Sequence, residues 1–131
     1  MIKLLDYGAG NVRSVKNGIR KLGYDIEEIK SPDEIRNCEK LIFPGVGNFG
    51  VVMHRLRESG YAEPLIRRIH EDKPLLGICV ALQTFFEGSE EAPDVHGLGV
   101  IPGIVRRFED SSLSVPQIGW NSIKPQKDSK L

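Results

Sequence analysis

Cys79 is the residue in this chain best placed for covalent chemistry, because of what flanks it. In Gly77-Ile-Cys-Val-Ala-Leu-Gln83 a glycine stands two positions before the cysteine, and small Ala81 stands two positions after. This is the G-x-C-x-small form of the nucleophile elbow, normally written G-x-S-x-G. A nucleophile on such a turn needs small neighbours, since the backbone is tight and the side chain must stand clear for attack. A helix that follows directly aims free N–H groups and its positive dipole end at the sulfur, which favours a thiolate. Taken alone, the stretch also fits an inert cysteine at the end of a buried strand.

A second stretch, Pro44-Gly-Val-Gly47, bears on the same chemistry. Gly45 and Gly47 let the backbone approach a bound group and let a peptide turn its N–H toward it. Beside a thiol, such a loop supplies oxyanion donors for the tetrahedral intermediate of acyl transfer. It also fits a plain strand-to-helix turn. Other chemistries fit less well. Gly8-Ala-Gly10 follows a strand as a dinucleotide fingerprint does, with Glu27 or Glu28 near the place of the ribose-binding acid. Arg13 occupies the third glycine position, where so large a side chain blocks close helix–strand packing. No second cysteine stands at C-x-x-C spacing to make Cys79 a redox pair. His54, His70 and His96 show no ligand spacing with each other or with the cysteines, so no metal site is expected.

The elements around these residues alternate. Strands are expected at Ile2–Leu5, Tyr24–Ile29, Lys40–Phe43 and Leu75–Ile78, the last as an apolar run covered on both faces. Between them lie a helix over 12–22 closed by Gly23, a short helix started by Ser31-Pro32, and helical stretches over 51–58 and 62–71. A helix over 80–87 follows Cys79, with Leu82, Phe85 and Phe86 at helical spacing. Shorter strands are expected near 97–103, at Val105–Phe108 and at Ile118–Ile123. Alternation of this kind argues an α/β fold, an open, mostly parallel sheet with helices on both faces. Ligands of such sheets bind outside the carboxyl ends of the strands. The turns at Gly8, Gly45 and Cys79 all fall at such ends.

Size and charge bound the reading. The 131 residues suit a single domain, 1–131, and the 40% apolar and 27% charged content is that of an ordinary soluble protein. Eighteen basic residues balance eighteen acidic ones, which gives no footprint for nucleic acid. Arg55, Arg57, Arg67 and Arg68 alternate with acids, as on a solvated helix face. Cys38 and Cys79 are far apart in a chain with no secretory leader or membrane-length apolar run. A reducing, cytoplasmic setting without membrane attachment is therefore expected.

Taken together, Asp6-Tyr-Gly-Ala-Gly-Asn11, Phe43-Pro-Gly-Val-Gly47 and Gly77-Ile-Cys-Val-Ala-Leu-Gln83 resemble the class I, triad-type glutamine amidotransferases, whose sheet is flavodoxin-like. Within them the pattern is similar to the glutaminase component of imidazole glycerol phosphate synthases, whose P-x-x-G-W-N segment matches Pro116-Gln-Ile-Gly-Trp-Asn121. The resemblance implies that Cys79 attacks the side-chain amide of glutamine, that Gly45, Val46 and Gly47 form the oxyanion and substrate loop, and that Gln83 holds the substrate. It implies a (β/α)8-barrel cyclase as partner, met through Gln117, Gly119, Trp120 and Asn121. That partner uses the released ammonia in histidine biosynthesis, and no cofactor is implied.

Two departures stand out. Ala81 occupies a position where the family usually has glycine. The family's H-x-E pair, which completes the triad near the C-terminus, has no counterpart, and the chain is expected to be C-terminally incomplete. Negligible glutaminase activity and uncovered apolar surface are then expected of these residues alone. The rival readings are an amidotransferase serving another synthase, a non-catalytic homologue, and a sensor acting through Cys79.

Overall fold

Eleven elements follow one another in the structure, a computed structural model that describes residues 1–109 and 111–128. They are β1 (Ile2–Leu4), α1 (Val12–Lys21), β2 (Ile26–Glu28), α2 (Pro32–Asn37), β3 (Lys40–Gly45), α3 (Phe49–Glu58), α4 (Ala62–His70), β4 (Leu75–Cys79), α5 (Val80–Gln83), β5 (Phe86–Ser89) and β6 (Ile101–Val105). The first four strands form a parallel sheet in the order β2-β1-β3-β4, while β5 and β6 pair as a separate parallel ribbon. The chain leaves β1 toward β2 and returns past it to β3. The crevice of such a switch therefore opens at the carboxyl ends of β1 and β3.

Helices lie on both faces, as expected. On one face Leu4, Ile26 and Ile42 pack against Val12, Val15 and Ile19 of α1. On the other, Leu41 and Phe43 pack against Ile35 of α2, Val52, Met53 and Leu56 of α3, and Leu65 of α4. Gly23 closes α1 with φ +85° and an N–H bond of 2.9 Å to the Arg20 carbonyl. Ser31 stands at the start of α2, but its hydroxyl makes no capping bond, and Pro32 opens the helix instead.

Four expectations are corrected. Strand β4 is covered on one face only: Leu76 and Ile78 each remain 39% exposed, on the face where α1 lies over β1 and β2 and does not reach. The helix after Cys79 is a single turn, not a stretch to residue 87. The Thr84 hydroxyl donates back to the Ala81 carbonyl at 2.6 Å, and Phe85 N–H turns to Leu82. The Thr84 and Phe85 carbonyls are then taken by Leu98, Val100 and Ile101, so non-local pairing outweighs helical spacing and Phe86 enters β5. The strand near residue 105 ends at Val105, and Ile118–Ile123 forms none. Ile118, Trp120 and Ile123 stand almost fully exposed there, with no strand beside them among the described residues.

The fourth correction concerns the arginines. Arg57 and Arg67 are exposed, as on a solvated face, and Arg67 pairs with Glu63 one turn away at 2.9 Å. Arg55 Nη1 donates to the Gly8 carbonyl at 2.5 Å and Arg57 Nη2 to the His96 carbonyl at 2.6 Å. Arg68 is fully buried, and its guanidinium donates to the carbonyls of Ile35, Cys38, Glu39 and Pro74 at 2.7–3.0 Å. A guanidinium carries five donors in a fixed fork, so one side chain satisfies several converging carbonyls at once.

Candidate active site

At the carboxyl end of β4 the backbone turns sharply on Cys79, which has φ +58° and ψ −127°. Side-chain-bearing residues rarely adopt such a conformation, and it costs about 1–3 kcal/mol. Its side chain is exposed and makes no hydrogen bond among the described residues. The neighbours explain how the turn is tolerated. A Cβ at Gly77 would lie 2.8 Å from the Phe85 ring, so the glycine makes room for the aromatic that seats α5. Val80 and Ala81, the first residues of α5, are buried beneath the turn. With α5 reduced to one turn, the polarity offered to the sulfur comes from a few free N–H groups rather than a long helix.

Gly45 pairs in register with Cys79 across β3 and β4, which puts the two strand ends about 5 Å apart. The glycines of this loop serve different ends. A Cβ on Gly45 would meet the Ala81 amide nitrogen at 2.6 Å and Val80 Cγ1 at 2.7 Å, so its need is space. Gly47 has open space around it but takes φ +106°, so its need is conformation. Ala81 sits in α5 with its methyl where Gly45 has nothing, which is how the structure absorbs this departure from glycine. Asn48 caps α3, accepting from Gly50 N–H at 2.8 Å and Val51 N–H at 3.4 Å. Gln83 ends α5, four residues after Cys79, and is half-buried.

Tyr7 is the site residue that local spacing did not single out. Its ring is 5% exposed and stands edge-on to Phe43, with centroids 5.7 Å apart. Its hydroxyl accepts the Val46 N–H at 3.2 Å, joining the β1 turn to the glycine loop. Burial pushes the phenol above its ordinary pKa, so it remains protonated at neutral pH. Its signal in the sequence was its place at a strand's carboxyl end, within the Asp6–Asn11 segment that carries part of the family resemblance. In the same turn Asp6 accepts from Gly8 N–H at 2.8 Å, while Arg13 points to solvent rather than into the helix–strand contact.

The remaining expected residues lie apart from the turn. His54 Nε2 lies 3.1 Å from Glu58 Oε1 on the outer surface of α3, and His70 and His96 are exposed. Gln117, Gly119, Trp120 and Asn121 are exposed in a stretch without helix or strand, with no hydrogen bond to the Cys79 turn among the described residues. A cleft of about 550 Å³ runs along α1 past Gly10, Arg13, Lys16 and Arg20, and Cys79 is not in its wall. The described residues contain no His, Cys, Asp or Glu cluster able to hold a metal ion, and no helix long and apolar enough to cross a membrane.

Residues 3–125 match the family described as Glutamine amidotransferase class-I. The chain is 52% identical to the chloroplastic imidazole glycerol phosphate synthase hisHF of Arabidopsis thaliana, over all of this chain and 22% of that protein. It is 44% identical to imidazole glycerol phosphate synthase subunit HisH of Thermus thermophilus, over 92% of this chain and 60% of that one. The chain thus spans about a fifth of the fused relative and about three-fifths of the separate subunit. Among solved structures, a glutamine amidotransferase superposes with a TM-score of 0.68 at 24% identity, over 84% of this chain and 59% of that one. A Listeria monocytogenes protein described as a peptidase E gives 0.60 at 14%, over 76% and 62%. At such identities the two structures speak for the fold alone.

Proposed function

This chain belongs to the class-I glutamine amidotransferases, and from that membership we propose that it is the glutaminase component of an imidazole glycerol phosphate synthase. The observation that carries the reading is the exposed thiol of Cys79 on a strained turn, in register with the glycine loop at Gly45. In this reading the Cys79 thiolate attacks the side-chain carbonyl carbon of glutamine. The Val80 N–H and the Gly47 N–H, which has no partner among the described residues, receive the oxyanion, while the Val46 N–H stays with Tyr7. The C–N bond then breaks, ammonia leaves with the proton that the thiol gave up, and a γ-glutamyl thioester remains. Water releases glutamate and restores the thiol. Gln83, at the end of α5, holds the substrate beside the turn. The ammonia goes to a barrel-shaped cyclase, met through the exposed Gln117, Gly119, Trp120 and Asn121, in a cytoplasmic setting.

Proton transfer needs a base that none of His54, His70 and His96 supplies at this turn. Glutamine turnover by these 131 residues alone is therefore expected to lie several orders of magnitude below that of a triad-complete enzyme. The same observation favours a second reading, a non-catalytic homologue that binds the cyclase or nothing at all. The test is covalent: the chain is treated with a diazoketone analogue of glutamine and digested, and the peptides are weighed. One adduct on Cys79, absent in Cys79→Ser, supports the glutaminase reading. No adduct, or one on Cys38, favours the non-catalytic reading.

A further inference from the structure

We propose that Glu91 is a positioning residue for the loop Gly45–Asn48, acting through the first N–H of α3. The role given to the loop rests on the glutaminase reading, whereas the contact does not. A helix start leaves its first N–H groups without partners. At α3, Asn48 takes those of Gly50 and Val51 but not that of Phe49, and the first turn contains no acid of its own. Glu91, 42 residues further on, places Oε2 2.8 Å from Phe49 N. It thus closes the open N–H and brings a negative charge to the positive end of the helix. Phe49 directly follows the loop.

The turn that carries Glu91 is itself fixed. Its N–H donates to Ser89 Oγ at 3.2 Å, and Ser89 is buried. A Cβ on Gly50 would stand 3.1 Å from the Ala92 methyl, so this turn and α3 are in direct contact. Arg57 holds the far end of the same segment at the His96 carbonyl. The loop is therefore fixed at one end by Gly45 against Ala81 and at the other by Phe49 on Glu91. Between them lies Gly47, with open space around it. Glu91 sets where the Gly47 N–H points.

Two measurements on the full chain test this, using wild type, Glu91→Gln and Glu91→Ala. Hydrogen exchange of the Phe49 amide reads the contact, and inactivation by the diazoketone analogue reads the loop. Glu91→Ala should speed Phe49 exchange about tenfold and slow maximal inactivation about tenfold, with half-saturation moving less than about twofold. Glu91→Gln keeps an accepting oxygen and should retain most of both. Unchanged Phe49 exchange in Glu91→Ala overturns the proposal. So does an equal rise in half-saturation for both variants, since the carboxylate would then be reading the ligand's charge. Should the alanine variant fail to fold, Glu91→Asp, one methylene short, must show the same pattern in milder form. If no variant is labelled, the glutaminase reading fails, while amide exchange still decides whether Glu91 holds the loop.

Discussion

Cys38 precedes β3 at the amino edge of the main sheet, and Cys79 closes β4 at its carboxyl edge. The first thiol is half-buried, donates to the Ile35 carbonyl at 3.7 Å, and receives Arg68 Nη1 at 3.3 Å. Burial raises its pKa above the ordinary thiol value, outweighing the nearby guanidinium. The second thiol is exposed, has no hydrogen-bond partner among the described residues, and sits on a positive-φ backbone. At the amino edge one buried arginine satisfies four carbonyls in a relaxed backbone. At the carboxyl edge strain is held and donors are left open. Strain of this kind persists only where the surroundings over-determine the backbone. The saturated edge supplies part of that constraint, because it fixes where β3 and β4 begin.

The largest way to break this contrast is to remove the guanidinium. Arg68→Ala strips the guanidinium from four carbonyls, of which Pro74 keeps the Leu41 N–H and Ile35 the weak Cys38 thiol, and should cost about 2–4 kcal/mol in urea unfolding. Arg68→Lys should recover little, since one ammonium cannot reach carbonyls on α2 and on the segments just before β3 and β4 together. A loss below about 1 kcal/mol would mean that water satisfies this edge instead.

Thiol selectivity sharpens the contrast next. At pH 7.5 a small disulfide reagent should modify Cys79 at least about tenfold faster than Cys38, the two converging once the chain is unfolded. Equal rates in the native chain would remove the distinction between the edges. The smallest effect runs the other way. Cys79→Gly accepts φ +58° without penalty and should raise stability by about 1 kcal/mol while abolishing labelling by the glutamine analogue. A destabilised glycine variant would show that the turn holds no strain worth releasing.

Much of this was legible in the sequence, for physical reasons. The elements around residues 1–79 follow from apolar periodicity and from glycine and proline punctuation, and the structure places them within a few residues. The elbow was legible because a tight turn excludes large neighbours. Arg68 was not, because its partners lie 6 to 33 residues away and are main-chain carbonyls, which leave no trace in side-chain spacing. Phe85 and Phe86 misled for a related reason: their helical spacing was real, but the carbonyls of Thr84 and Phe85 were committed to residues 98–101. Tyr7 and Glu91 act at main-chain N–H groups 39 and 42 residues distant. Long-range contact to backbone, rather than burial, is what local spacing hides.

The contact between Gly45 and Ala81 constrains how this site can drift. What faces Gly45 most closely is the backbone nitrogen of residue 81, at 2.6 Å from any added Cβ, and the Ala81 methyl lies farther off at 3.1 Å. Trimming Ala81 to glycine would free a methyl's volume yet leave the nitrogen in place. Position 81 therefore tolerates either glycine or alanine, whereas position 45 tolerates glycine alone. Among descendants of this sequence, exchange should accumulate on the helix side of the contact and none on the strand side.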